Sequence, residues 1–344
     1  MAPPPRSSRE PERGWSFQTR MRSPSLDAVR LRSSWLTIGI FDGVHRGHQQ
    51  ILHRLVEGAH AAQAVPVVLT FSPHPAVVLG GKKNFPCLTT LEERVALLEG
   101  LGVEVVITQL FDHKLAAESA EDFMGSLAGP LGLRRLLVGY DFALGRDREG
   151  NAQRLIAIGQ NLGYIVETIP VLSQAGHPIS STSIRAEIMQ GAVEAAGRDL
   201  GRPYALAGEV VHGDGRGRTI SIPTANIQVD RDKVLPADGV YAAWAWVQDG
   251  CFPAVINIGI RPTFSSGGQT AIVEAHLPGF ERDLYGQVLK LDLVARLRGE
   301  TKFPTVEALV AQIHTDIEQA GVLLKEAPAA GEGIRLPSRG TGSG

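Results

Sequence analysis

At 344 residues the chain is long enough for two domains, each with its own core. It is 43% hydrophobic and 20% charged, and its formal net charge of −2 argues against a nucleic-acid surface, which needs a basic excess to neutralise phosphates. Two distant cysteines, Cys87 and Cys251, offer neither a disulfide framework nor a zinc site, and no apolar run is long enough to span a bilayer.

Residues 1–33 are rich in Pro, Ser and Arg and lack an apolar signal core, so they read as a disordered tail, with Met21 an alternative start. The apolar run Trp35–Ile40 predicts a buried strand. Gln49–Ala62 then carries helical periodicity at Ile51, Leu52, Leu55 and Val56. The alternation continues through a strand at Val65–Phe71, a helix at Leu91–Leu101 and strands at Val103–Gln109 and Arg135–Val138. Phe123–Leu131 and Ala152–Leu162 read as helices, and Tyr164–Ile169 as the last strand. Strand and helix in turn imply a parallel sheet covered on both faces.

A helix-rich stretch near Ser183–Gly201 ends in Leu-Gly-Arg-Pro, and the pattern changes there. Strands follow at Ala205–Val211, Val240–Val247, Ala254–Ile258, Ile272–Leu277 and Val288–Arg296, separated by Gly and Pro. They predict a small β-barrel, with a helix from Thr305 to about Leu324 behind it. The expected division is a first domain over residues 34–186, a helical linker over 187–203, a second domain over 204–325 and a disordered tail over 326–344.

Gly39-Ile-Phe-Asp-Gly-Val-His-Arg-Gly-His48 joins a strand end to a helix start. A helix N-terminus attracts anions, and Gly43 and Gly47 permit close approach of a phosphate to the backbone. His45 and His48 add donors suited to charge developing on phosphorus. Surface histidines or zinc ligation are the alternatives, the latter lacking a nearby third ligand.

These residues resemble the adenylyltransferase signature of the prokaryotic bifunctional riboflavin kinase/FAD synthetases. Three further segments match in order: Thr70-Phe-Ser-Pro-His-Pro75, Val138-Gly-Tyr-Asp-Phe-Ala-Leu-Gly145 and Ile179-Ser-Ser-Thr-Ser-Ile-Arg185. The resemblance implies ATP contacts at Gly39, Phe41, Asp42, Gly43, Gly47, Asp141, Ser181 and Thr182. It implies adenylyl transfer at His45, His48 and Arg185, and flavin contacts at Pro73 and His74. Taken alone, Ser181 and Thr182 are better read as helix caps. Ile40 stands where the family usually carries Asn, and Leu144 where it usually carries Phe.

The loop Val211-His-Gly-Asp-Gly-Arg-Gly-Arg-Thr219, followed by Pro223-Thr-Ala-Asn226, resembles the riboflavin kinase half of the same family. Gly239-Val-Tyr241, Asn257-Ile-Gly-Ile-Arg-Pro-Thr-Phe264, Val273-Glu-Ala-His276 and Asp283-Leu-Tyr-Gly286 agree in order. Gly213, Gly215, Gly217 and Arg218 are expected at ATP, and Arg261 at flavin. Ser221 stands where Gly is common. Thr224 and Asn226, two apart, present neutral oxygens to one side if extended and suit Mg²⁺; a turn held by Asn is the alternative. Glu274, mid-strand among apolar neighbours, is the candidate general base.

The family implies a Rossmann-like nucleotidyltransferase domain joined to a small antiparallel barrel closed by a C-terminal helix. It implies ATP-dependent conversion of riboflavin to FMN and of FMN to FAD, with small-molecule partners only and no nucleic acid or membrane. A cytoplasmic monomer or weak homo-oligomer is expected. Cytidylyl or pantetheine-phosphate transferases share the HxGH motif but have no use for the second half; a flavin-binding regulatory homologue with one weakened site is the other alternative.

Overall fold

A computed structural model of the chain describes residues 21–23, 29–81, 85–174, 177–213, 217, 220, 222–248, 250–262, 269–327 and 329. The first half is a six-stranded parallel sheet in the order β1-β4-β3-β2-β5-β8. Its strands are β1 (Met21–Ser23), β2 (Ser34–Ile38), β3 (Val65–Ser72), β4 (Val105–Leu110), β5 (Leu133–Gly139) and β8 (Ile165–Ile169). Between them run α1 (Arg46–Ala61), α2 (Pro75–Gly80), α3 (Leu91–Gly100), α4 (His113–Ala116), α5 (Ala120–Ala128) and α6 (Ala152–Leu162). The small hairpins are β6 (Ala143–Leu144) with β7 (Gly150–Asn151), and β9 (Ser173–Gln174) with β10 (His177–Pro178).

The inner strands β2 and β3 are largely buried because both faces are covered. Leu36, Val67, Ile107 and Leu136 face α5 and α6, whereas Trp35, Val68, Val106 and Leu137 face α1 and α3. The middle of α1 contributes two buried leucines, Leu52 and Leu55, to the second of these cores.

The tail expected over residues 1–33 is corrected where it is described. Met21–Ser23 extend the sheet, pairing with Val105–Ile107, and Val29 is fully buried. A backbone strand there caps the open edge of β4. The C-terminal tail expected over 326–344 lies almost wholly outside the described residues.

The second half is a closed antiparallel barrel in the order β11-β12-β15-β14-β13-β16. Its strands are β11 (Tyr204–Val211), β12 (Ala225–Val229), β13 (Gly239–Val247), β14 (Gly250–Pro262), β15 (Gln269–His276) and β16 (Val288–Arg298). The helix α9 (Val306–Glu326), capped by Thr305, lies over Val240, Ala242 and Val255 outside the barrel. A bidentate pair between Arg298 and the buried Asp316 fastens it, at 2.8–3.1 Å. Strand β12 has no counterpart in the sequence reading, although Ala225, Ile227 and Val229 alternate inward.

The stretch 187–203 is part of the core rather than a spacer. Helices α7 (Ser181–Met189) and α8 (Val193–Leu200) bury Ile184, Ile188, Val193, Ala196 and Leu200 in the cluster that fills the barrel. A second seam joins the halves through backbone: Cys87 N–H donates to the Asp232 carbonyl at 2.6 Å, and Val234 N–H to the Cys87 carbonyl at 2.9 Å. Beside it the buried Lys233 ammonium pairs with Glu93 of α3.

Candidate active sites

Beyond β2 the chain turns sharply before α1. Phe41, Gly43 and Val44 all take positive φ, at 52°, 80° and 41°. That conformation is costly for a branched residue, so the turn needs outside support. Gly43 N–H donates to Thr89 Oγ1 at 3.0 Å, and Ser181 Oγ donates to the Asp42 carbonyl at 2.8 Å.

The turn delivers His45 as the N-cap of α1, its Nδ1 accepting from the His48 N–H at 3.3 Å. Acceptance at Nδ1 places the neutral ring's proton on Nε2. The two imidazoles stack with centroids 3.7 Å apart, and the edge of Phe41 meets His48 at 5.1 Å. A Cβ at Gly47 would press on the His45 ring at 3.2 Å, so glycine lets the rings close. Burial pushes His45 down to about 4, opposed by Asp42 and reinforced by Arg202. Burial, His45 and Arg94 likewise hold His48 well below its usual range. Its Nδ1 is buried with no hydrogen-bond partner among the described residues.

Three residues expected at ATP face into the protein. Phe41 is 3% exposed and lies in the α1–α3 core. Gly43 faces Leu88, which a Cβ would meet at 2.8 Å. Asp42, 2% exposed, accepts from Leu88 N–H, Thr89 N–H and Thr89 Oγ1 at 3.0–3.3 Å and from Arg185 at 2.8 Å. The positive-φ turn curls these groups inward, so they shape the mouth of α1 from beneath.

Arg185 lies just past the first turn of α7, where Ser180 and Ser183 form a reciprocal cap. Besides Asp42 it donates to the Pro86 carbonyl at 2.7 Å and lies over the Phe85 ring at 4.6 Å. Thr182 is exposed on that first turn. His74 caps α2 by accepting from Ala76 N–H and stacks on the Phe85 ring with centroids 4.0 Å apart. Pro73 stands beside an open groove of about 530 Å³ lined by Val77, Val78, Leu110 and Phe111. Gly39 follows β2, and Asp141 is exposed just past β5.

Arg94 escaped the sequence reading. It lies buried on α3 beneath this site, donating to Thr70 Oγ1 and the Phe71 carbonyl, each at 3.2 Å. Thr70 in turn donates to the Ile40 carbonyl at 3.0 Å. An ordinary amphipathic helix gave no signal for it.

The second site lies on the outer face of the barrel. Register pairs Asn226 of β12 with Glu274 of β15, and Glu274 with Asn257 of β14. Their flanking residues Ile227, Val273, Ala275, Ile256 and Ile258 point into the core, so the three polar residues form one row outside it. Asn257 was not singled out from sequence; the polar break in an alternating apolar strand was its signal. Gly213 lets the loop lie on the Asn226 amide, which a Cβ there would overlap. A Cβ at Gly217 would come within 3.4 Å of Thr224 Oγ1. His276 Nδ1 lies 2.8 Å from the Pro223 carbonyl, steadying the Pro-Thr turn. Gly215, Arg218, Ser221 and the side chain of Arg261 lie outside the described residues.

Comparison with known proteins matches each half separately. An FAD synthetase family model covers residues 28–183, and a riboflavin kinase model covers residues 200–324. A bifunctional riboflavin kinase/FMN adenylyltransferase of Haemophilus influenzae is 37% identical over 292 residues, covering 84% of this chain and 94% of its own. The Bacillus subtilis protein of the same name is 34% identical over 290 residues, covering 83% and 91%. A crystal structure named as a macrolide-efflux protein from Streptococcus pneumoniae superposes with a TM-score of 0.81 at 30% identity, over 88% of this chain and 98% of that one. Among the described residues here, no helix is long and apolar enough to cross a membrane. The chain belongs to the bifunctional riboflavin kinase/FMN adenylyltransferase family.

Proposed function

We propose that the family's two reactions are divided in this chain between the barrel face and the mouth of α1. Riboflavin is phosphorylated by ATP to FMN at the first, and FMN is adenylylated by ATP to FAD and pyrophosphate at the second. The observation that carries the division is the position of two carboxylates. Glu274 sits in the outward row with Asn226 and Asn257, whereas Asp42 is buried and bonded on both oxygens.

The chemistry asks for that difference. A 5′-hydroxyl is a weak nucleophile at neutral pH and gains from a base that takes its proton as the bond to the γ-phosphorus forms. Glu274 is assigned that role, and Arg261 is assigned as a flavin contact. The loop through Gly213, Gly215, Gly217 and Arg218 holds ATP phosphates. The FMN phosphate is already anionic and needs no base. It attacks the α-phosphorus of ATP, and pyrophosphate leaves with the electron pair.

At that centre His45 and His48 act neutral, as hydrogen-bond donors. Arg185 receives pyrophosphate after leaving Asp42, while Gly39, Gly47, Asp141, Ser181 and Thr182 surround the nucleotide. Pro73 and His74 border the flavin along the apolar groove.

Thr224 and Asn226 form a neutral oxygen set next to a carboxylate, which fits Mg²⁺ carried in on ATP better than a protein cage. Among the described residues no group of three or more His, Cys, Asp or Glu is arranged to hold a metal. When bound, Mg²⁺ supplies charge neutralisation between phosphates. Burial raises both free thiols, Cys87 and Cys251, to about 11, which suits a protein of the reducing cytoplasm.

Two substitutions test the division. His48→Ala is expected to abolish FAD formation while FMN accumulates from riboflavin. Glu274→Gln is expected to stop FMN formation while supplied FMN still becomes FAD. Loss of both reactions in either folded variant overturns it.

A further inference from the structure

The carbonyls of the strained turn before His45 are held by a residue from the other half of the chain. Arg202 follows α8 and Gly201, and donates through Nη2 to the Gly43 carbonyl at 2.7 Å. Through Nη1 it reaches the Val44 and Leu200 carbonyls at 3.3 Å each. Gln49 of α1 converges on two of these acceptors, donating to Val44 at 2.9 Å and Leu200 at 2.8 Å. Gly43 and Val44 are the two positive-φ residues directly before the His45 cap. Arg202 lies within the span of the riboflavin kinase model and outside that of FAD synthetase.

We propose that Arg202 is a positioning residue for adenylyl transfer, supplied by the kinase half: its guanidinium fork fixes the Gly43 and Val44 carbonyls and so sets where His45 and His48 stand. A planar fork matches two neighbouring carbonyls as an ammonium does not. Burial lowers Arg202 only to about 10, leaving it charged at neutral pH. Without it, the Gly43 carbonyl of a strained turn loses its donor and the Val44 carbonyl keeps only Gln49, so the turn is freer to relax toward negative φ. That would rotate the N-cap and carry the imidazole pair with it. The dependence gives a physical reason for the two halves to share one chain. The inference rests on assigning adenylyl transfer to the mouth of α1.

The test uses full-length Arg202→Met and Arg202→Lys. FAD formation is followed from FMN and ATP, total FMN plus FAD from riboflavin and ATP, and folding by circular dichroism. The Met variant is expected to lose about 10- to 100-fold in kcat for FAD formation, as misplaced catalytic groups do. KM values and riboflavin phosphorylation are expected to stay within about two-fold, because only the transition state loses a contact. The Lys variant, able to reach one carbonyl, is expected to recover part of the loss.

A folded Met variant with undiminished kcat for FAD overturns the proposal. So does an equal fall in both reactions, or a Lys variant no better than Met. Should the Met variant not fold, Gln49→Leu decides, since it removes the companion donor at Val44: lowered kcat for FAD with phosphorylation intact supports the proposal, and unchanged kcat overturns it. His48→Ala runs in parallel. If it spares FAD formation, the site assignment has failed; if it abolishes FAD while Arg202→Met spares it, only the role of Arg202 has failed.

Discussion

The Arg185 guanidinium lies 2.8 Å from the Asp42 carboxylate, joining the N-terminal half of α7 to the turn before α1 across 143 residues of sequence. Asp42 is 2% exposed and its other acceptor positions take the N–H groups of Leu88 and Thr89. The segment 85–89 is therefore tied to the turn through this side chain, beside the bonds of Thr89 to Gly43 and of Pro86 to Arg185.

Asp42→Ala leaves the Arg185 charge and two backbone donors without their acceptor. Removing one member of a buried pair commonly costs about 3–5 kcal/mol. Urea denaturation of the variant is expected to show a loss of this order, with FAD formation falling more than riboflavin phosphorylation. A stability change below about 1 kcal/mol, the range of an exposed pair, would show that the carboxylate is not the anchor described.

Much of the site was legible before the structure because it is local. The HxGH turn, the Ser-Ser-Thr-Ser cap and the strand carrying Glu274 each announce themselves within ten residues. Asp42 was legible as a motif residue but not in its role, since its partners lie 46, 47 and 143 residues away. Strand β12 was hidden by Pro223 and by the reading of Thr-Ala-Asn as a turn, although its inward residues alternate. Strand β14 runs beyond Ala254–Ile258 in both directions because pairing with β13 and β15 overrides Pro253 and Gly259. Nothing in residues 187–203 distinguished a packed helix pair from a linker until Leu200 was seen against the barrel.

The buried imidazoles make stability depend on pH. His45 and His74 are both pushed down to about 4 by burial, and His48 moves the same way. Above the ordinary histidine value near 6.5, folded and unfolded chains are alike neutral at these sites. Between about 6.5 and 4 the unfolded chain takes up protons that the folded chain refuses, so stability falls with falling pH. At about pH 5 the buried His45 alone is expected to cost about 2 kcal/mol relative to about pH 7. His45→Asn keeps an N-cap side chain that can accept from the residue 48 N–H but does not titrate. Denaturation at the two pH values is expected to show a smaller pH penalty in this variant; an equal penalty would place the dependence elsewhere.

At the barrel, the loop needs glycine at position 213. A Cβ there would overlap the Asn226 amide, which is paired in register with Glu274. Gly213→Ala forces either the loop or the amide to move, and a displacement near 1 Å at a catalytic site costs up to about 100-fold. Riboflavin phosphorylation is expected to fall by one to two orders of magnitude on that scale, with FAD formation from supplied FMN unaffected. Gly163→Ala is the control, since a Cβ there meets nothing within 4 Å, although its φ of 81° makes it a test of backbone strain alone. If both variants impaired phosphorylation equally, overlap with Asn226 would not be the cause.

The seam between the halves carries a buried ion pair, Lys233 with Glu93, and the ammonium also lies 5.0 Å from the Tyr204 ring centre. Glu93 is doubly employed, because its carboxylate accepts from Thr90 N–H at 3.0 Å in the cap of α3. Lys233→Met strands a carboxylate that keeps one hydrogen bond, whereas Glu93→Gln strands an ammonium and still offers an amide oxygen to Thr90. Each single change is expected to cost about 3 kcal/mol, and the double change much less than their sum, because two neutral groups of similar shape replace two charges. Denaturant titration of the four proteins closes the cycle. Additive losses would mean that the two charges do not interact across the seam, leaving the backbone bonds of Cys87 with Asp232 and Val234 as its polar contacts there.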